Sequence, residues 1–180
     1  MATPASPASP ASPASSAAAH DALAAPTLRR RLAGMLYEGL LLFGVMFGAT
    51  AVFLLVRAIV PPLARTGDLG LQVWGFLAMG AYFVGFWRKR GQTLAMQTWR
   101  MRVVNADGSR ISFGRAVARY VLAWMWVAAA VGIIHLSGAS RWTGAAVAAV
   151  CLLAWGALAW LDPQRQFLHD RLAGTRLVRD

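Results

Sequence analysis

Acidic side chains are scarce in this chain. Seven aspartates and glutamates stand against 18 lysines and arginines, and charged residues fill only 14% of the 180 positions. Soluble domains carry roughly 25% charge to solvate their surfaces. Cysteine is almost absent as well: Cys151 stands alone, so no internal disulfide can form. His20, His135 and His169 are scattered without the spacing of a zinc site, so no metal and no cofactor is expected. The chain also lacks a nucleophile beside a base, a phosphate loop and a carboxylate pair at catalytic spacing. It is therefore not expected to be an enzyme.

The first 26 residues, "MATPASPASPASPASSAAAHDALAAP", have almost no large apolar side chains. Such a stretch cannot offset its ordering entropy by burial, and it reads as a disordered, cytoplasmic tail. It has no basic start followed by an apolar core, so it does not read as a secretory signal.

What the chain has in excess is hydrophobicity. Apolar residues make up 58%, with eight tryptophans, and the mean hydropathy is +0.50. They gather in four runs, at about 32–60, 69–87, 117–136 and 142–161. A helix needs about 20 residues to cross roughly 30 Å of hydrocarbon. Apolar residues surround these runs on all sides and leave no solvated stripe, which argues against buried helices of a soluble domain. The expected fold is an all-α membrane protein. It has four transmembrane helices in 27–180, with a short cytoplasmic β-hairpin and amphipathic segment between helices 2 and 3.

The net charge of +11 is distributed unevenly. Fifteen of the 18 basic residues lie before the first run, in the middle loop or in the tail, while Arg57, Arg65 and Arg141 lie at the other ends. The positive-inside rule then puts both termini and the middle loop in the cytoplasm, as in a bacterial inner membrane protein. Clustering beside apolar runs points to the bilayer and its anionic headgroups as partners, not to nucleic acid. Trp87, Trp142 and Trp160 read as interfacial anchors, and Arg57 and His135 as polar residues reaching the outer headgroups. Gly44 and Gly48 form a small-residue pair suited to close helix packing.

In the middle loop, Leu94, Met96, Trp99 and Met101 alternate with polar residues, as in a segment lying on the membrane surface. "MRVVNADGSRIS" places Asp107-Gly108 between β-branched residues, which predicts a hairpin at 102–111. Ser112 is placed to cap a helix starting near Phe113. Asp162-Pro163 is expected to end the fourth helix.

Glu38 is the anomaly, a carboxylate inside an apolar run. An unpaired charge in hydrocarbon is costly, so it should be neutralised, hydrated or paired. Arg31 lies on the same helical face but about 10.5 Å away along the axis, too far for an ideal ion pair. By depth, Arg119 is the expected partner, with Arg115 next. Asp170 is expected to tie the tail to an arginine of the middle loop. His169 and Asp170 are adjacent, and neighbours on a helix do not face each other.

Three stretches together resemble the RDD family of small bacterial membrane proteins: "RRLAGMLYE" (30–38), "GQTLAMQTWRMRVVNADGSRISFGRAVARY" (91–120) and "DPQRQFLHDRLAGTRLV" (162–178). The resemblance spans about 28–180. It implies that Arg31 matches the family arginine and Asp170 the second family aspartate. Glu38 stands where the first aspartate usually lies, one methylene longer. Ala95 and Gln97 depart from the small and basic residues expected there. The resemblance further implies transport of ions or small solutes, and four spans are few for such work, so a homo-oligomer is expected. The alternative is a membrane interaction or assembly protein that presents the basic loop to a protein partner or to anionic lipid. On the residues alone, Glu38 can be a structural pin between helices or a proton- or cation-binding group.

Overall fold

The computed structural model describes residues 25–161 and 166–180. All but the last two residues of the expected disordered tail, and the expected helix end at Asp162-Pro163, lie outside the described residues. Among the described residues the order is α1 (Leu28–Ile59), α2 (Pro61–Ala64), α3 (Gly67–Arg90), α4 (Leu94–Thr98), β1 (Met101–Asn105), α5 (Phe113–Ala123), α6 (Met125–Ser137), α7 (Arg141–Leu161), α8 (Leu168–Leu172) and β2 (Thr175–Arg179).

Four helical units are long and apolar enough to cross a membrane: Arg29–Ile59, Gly67–Arg90, Phe113–Ser137 and Arg141–Leu158. The third is α5 continued by α6 across a slight break at Trp124. Little of each span is buried against protein, so its apolar surface needs lipid around it. α1 packs on α3, α3 on α5, and α6 on α7.

The close helix approaches are not made by the glycines expected to make them. Among the described residues, nothing beyond the helix's own neighbouring turn lies within 4 Å of a Cβ placed at Gly44 or Gly48. α1 instead meets α3 through Met46, Ala49 and Phe53, a face that the helical turn separates from Gly44. Trp74 Nε1 donates to the Ala49 carbonyl at 2.8 Å, and a Cβ at Gly75 would lie 2.9 Å from the Met46 methyl. Between α3 and α5, Gly80 admits the Tyr120 ring, whose hydroxyl donates to the Phe76 carbonyl at 2.6 Å.

The dense core lies at one end of the helices, where most basic residues gather. Val84, Trp87, Met101, Val103, Ile111, Ala116, Tyr120 and Leu177 pack together there. Trp87 is thus a core residue only 5% exposed, not an interfacial anchor, while Trp142 is exposed.

The hairpin expected at 102–111 does not form. β1 pairs instead with β2, antiparallel, with Val103 opposite Leu177 and Asn105 opposite Thr175. The Asp107-Gly108 turn itself closes: Asn105 N–H donates to the Ser109 carbonyl, Gly108 has φ 84°, and the Asp107 carboxylate accepts from both the N–H and the hydroxyl of Ser109. After the turn, Ile111 enters the core and Ser112 caps α5 by accepting from Arg115 N–H at 3.4 Å. No length of chain remains for a return strand, and the C-terminal "TRLVR" supplies it. Gln166 adds a further clamp, since its amide both donates to and accepts from the Leu177 backbone.

Candidate functional site

α1, α3, α4, β1, α5, the start of α6 and the C-terminal segment line an open cavity of about 430 Å³ at the basic end of the bundle. Arg31, Glu38, Arg119 and His169 all line it, between apolar walls that include Phe83 and Trp87. Residues from three separate stretches of sequence are thereby brought to one place.

Glu38 is half-buried on the α1 wall. Its expected ion pair with Arg119 is not made, and among the described residues no arginine or lysine forms an ion pair with it. Two hydroxyls hold it instead. Tyr82 of α3 donates to Oε1 at 2.7 Å, and Thr93 donates to Oε2. Thr93 is fully buried and is also the N-cap of α4, accepting from Met96 N–H at 3.3 Å. One threonine thus starts the surface helix and locks it onto the carboxylate. Replacing Thr93 with valine keeps the shape but removes both bonds. The cap alone is worth about 1 kcal/mol. Thermal unfolding in detergent should show at least that loss, with faster amide exchange in α4; unchanged exchange there would contradict the coupling.

Arg119 is occupied elsewhere. Its Nη1 donates to Asp170 and, at 3.3 Å, to the Thr175 hydroxyl, while its guanidinium lies 4.8 Å over the Trp87 ring. Asp170 is fully buried, so its charge requires a counter-charge. A single guanidinium satisfies this buried carboxylate and faces an aromatic ring, and Glu38, with two hydroxyls at hand, does not need it. The tail is therefore tied to the inner part of the third span, through Arg119 and not through Arg115.

His169 and Asp170 do face each other, contrary to expectation, with Nε2 3.2 Å from Oδ1. The imidazole lies parallel to both Trp155 (6.1 Å) and Phe167 (5.5 Å), and that clamp turns it onto its neighbour across a helix of only five residues. Burial is the main cause that pushes the His169 pKa down to about 4, with Asp170 opposing and Arg119 assisting. Arg31, also buried, donates from Nε to the Pro26 carbonyl at 3.2 Å and sits 5.9 Å over Phe167. Arg31, Phe167, His169 and Trp155 thus join the start of α1, the tail and α7.

Tyr82 and Thr93 escaped the sequence reading. The only signal for Thr93 was a threonine directly before "LAMQT", a cap position; nothing marked Tyr82 within an aromatic-rich span. No curated protein and no solved structure matches the chain. The RDD family model matches residues 25–174, a stretch that takes in Arg31, Glu38, Arg119 and Asp170, so this chain belongs to the RDD family, and its four apolar helices of membrane length mark it as a multi-pass membrane protein.

Proposed function

We propose that this protein moves an ion or small solute across a bacterial inner membrane, with Glu38 as the carboxylate that takes up and releases the proton or cation. The observation that carries the reading is the pairing of Glu38 with two hydroxyls on a cavity wall. An arginine has only donors and would hold the charged carboxylate in one state. A hydroxyl donates to an ionised carboxylate and accepts from a protonated one by rotating its hydrogen. Tyr82 and Thr93 therefore serve Glu38 in either state, which suits a group that cycles between them.

Arg119, Asp170, His169 and Arg31 form the frame of the site in this reading. They anchor the tail under the cavity while Glu38 does the exchange. The gathering of basic segments at one end supports an orientation with both termini cytoplasmic. The protein is non-enzymatic in this reading and works as a homo-oligomer within the bilayer.

Proteoliposome flux tests it, comparing wild type with Glu38→Gln at matched folding. The amide keeps the shape and loses the exchangeable charge, so proton or monovalent-cation flux should fall to the background of empty liposomes. Flux in neither protein, across pH and with Na⁺, K⁺ and Li⁺, would remove the transport reading and leave the interaction one.

A further inference from the structure

Two further depressions lie along the end of α3 that carries Arg88, Lys89 and Arg90, outside the cavity that holds Glu38. The first is a groove of about 430 Å³ along Ala81, Val84, Gly85, Arg88 and Lys89, walled by Phe113 of α5. The second is a cleft of about 120 Å³ at the end of α3, lined by Arg88, Lys89, Arg90, Arg102 and Arg110 together with the backbone around Gly91 and Gly108. Arg88 and Lys89 border both, so the groove and the cleft adjoin at these two side chains. We propose that the two together bind one anionic phospholipid, its phosphate in the cleft and one acyl chain in the groove.

Charge supports this first. Among the described residues, only Arg102 of the five cations has a carboxylate partner, Asp180 at 3.3 Å. All five are exposed, and the four without a carboxylate partner leave a positive field at the cleft that attracts an anion. Shape supports it next. From Arg88 to Ala81 the groove descends about 10 Å along the helix, from headgroup depth into hydrocarbon. Nothing lies within 4 Å of a Cβ at Gly85, so the groove floor is open, and Phe113 is exposed as its wall. The Arg88 guanidinium lies 5.6 Å over the Phe113 ring, which joins the charged end to the apolar wall. A soluble phosphate ester would fill the cleft and leave the groove unused; a lipid fills both. The site stands whether or not Glu38 supports a flux.

Native mass spectrometry of the full-length protein in detergent tests the proposal, with phosphatidylglycerol, phosphatidylcholine and glycerol 3-phosphate as probes. Phosphatidylglycerol should be retained in preference to phosphatidylcholine and should resist displacement by glycerol 3-phosphate. Each Lys or Arg near an anionic surface contributes about fivefold in affinity. Lys89→Gln with Arg110→Gln should therefore weaken retention roughly 25-fold. Gly85→Phe fills the groove from an open helix position and should lower retention of the two-chain lipid without moving the melting temperature. Phosphatidylglycerol carrying a photoreactive acyl chain should label residues 81–88 and Phe113 of the wild type, a readout that needs no variant to fold. Equal retention of phosphatidylcholine, variants without effect, or labelling confined to other helices would each overturn the lipid site. Displacement by glycerol 3-phosphate would make the cleft a soluble-phosphate site and overturn it equally.

Discussion

Asp170→Asn should be the most damaging conservative change in the chain. It keeps the volume of a fully buried side chain and removes the only carboxylate that meets Arg119 among the described residues. Arg119 itself is 5% exposed, so its charge would stay buried without a counter-charge. Breaking a buried pair in this way costs about 3–5 kcal/mol. The loss should appear as a large drop in thermal stability in detergent and as early exposure of residues 166–180 to protease. Replacing both partners with leucine should recover much of the loss, because the costly state is the lone charge and not the missing bond. A double variant as unstable as Asp170→Asn would show that the pair's hydrogen bonds to the Thr175 region matter more than its charge.

The second large effect is a loss of stability in mild acid, centred on His169. Its pKa is about 4 in the folded protein against 6.5 when exposed. Above pH 6.5 the imidazole is neutral in both states, and the fold carries no penalty from it. Below 6.5 the unfolded chain binds a proton that the folded chain refuses, so stability falls with pH until the folded form also protonates near 4. A gap of this size corresponds to about 3 kcal/mol. Unfolding followed between pH 7 and pH 4 should show this decline, and His169→Gln should flatten it over the same window. A wild type as stable at pH 4.5 as at pH 7 would mean that the imidazole is hydrated and not clamped between Trp155 and Phe167. The affected unit should be the tail with β2, because His169, Asp170 and Gln166 all act on that segment.

These two effects concern the frame around the cavity, and Glu38 concerns its interior. Glu38 and Asp170 are both acids in an apolar chain, yet their partners differ in kind. Asp170 faces a fixed cation and one role, structural charge balance. Glu38 faces hydroxyls that accommodate either protonation state. In the proposed transport reading, this difference in partners makes the site rigid at its rim and exchangeable at its wall.

The spans were legible in the sequence because they depend on local composition. A run of about 20 apolar residues without charge dictates a membrane helix whatever surrounds it. The start of α5 at Phe113 was legible for the same reason, since Ser112 needs only its own next turn to cap it. The importance of Glu38 was also visible, because an acid in an apolar run is anomalous before any fold is known. Its partner was not. Depth along the helices brought Arg119 and Glu38 to similar levels, but ion pairing depends on which residues converge in three dimensions, and Asp170 arrives from 51 positions further along to claim the arginine. The strand pairing failed for a related reason. "MRVVN" and the Asp107-Gly108 turn are locally sound, but Ile111 turns into the core and Ser112 starts α5, so 110–112 cannot run back along β1, and Leu177 and Val178 of β2 pair there instead. The sequence by itself determined the helices, the turn and the residues worth watching. The tertiary structure alone decided which hydroxyls, charges and rings those residues meet, because partners distant in the chain are chosen by packing and by the cost of leaving a buried charge alone.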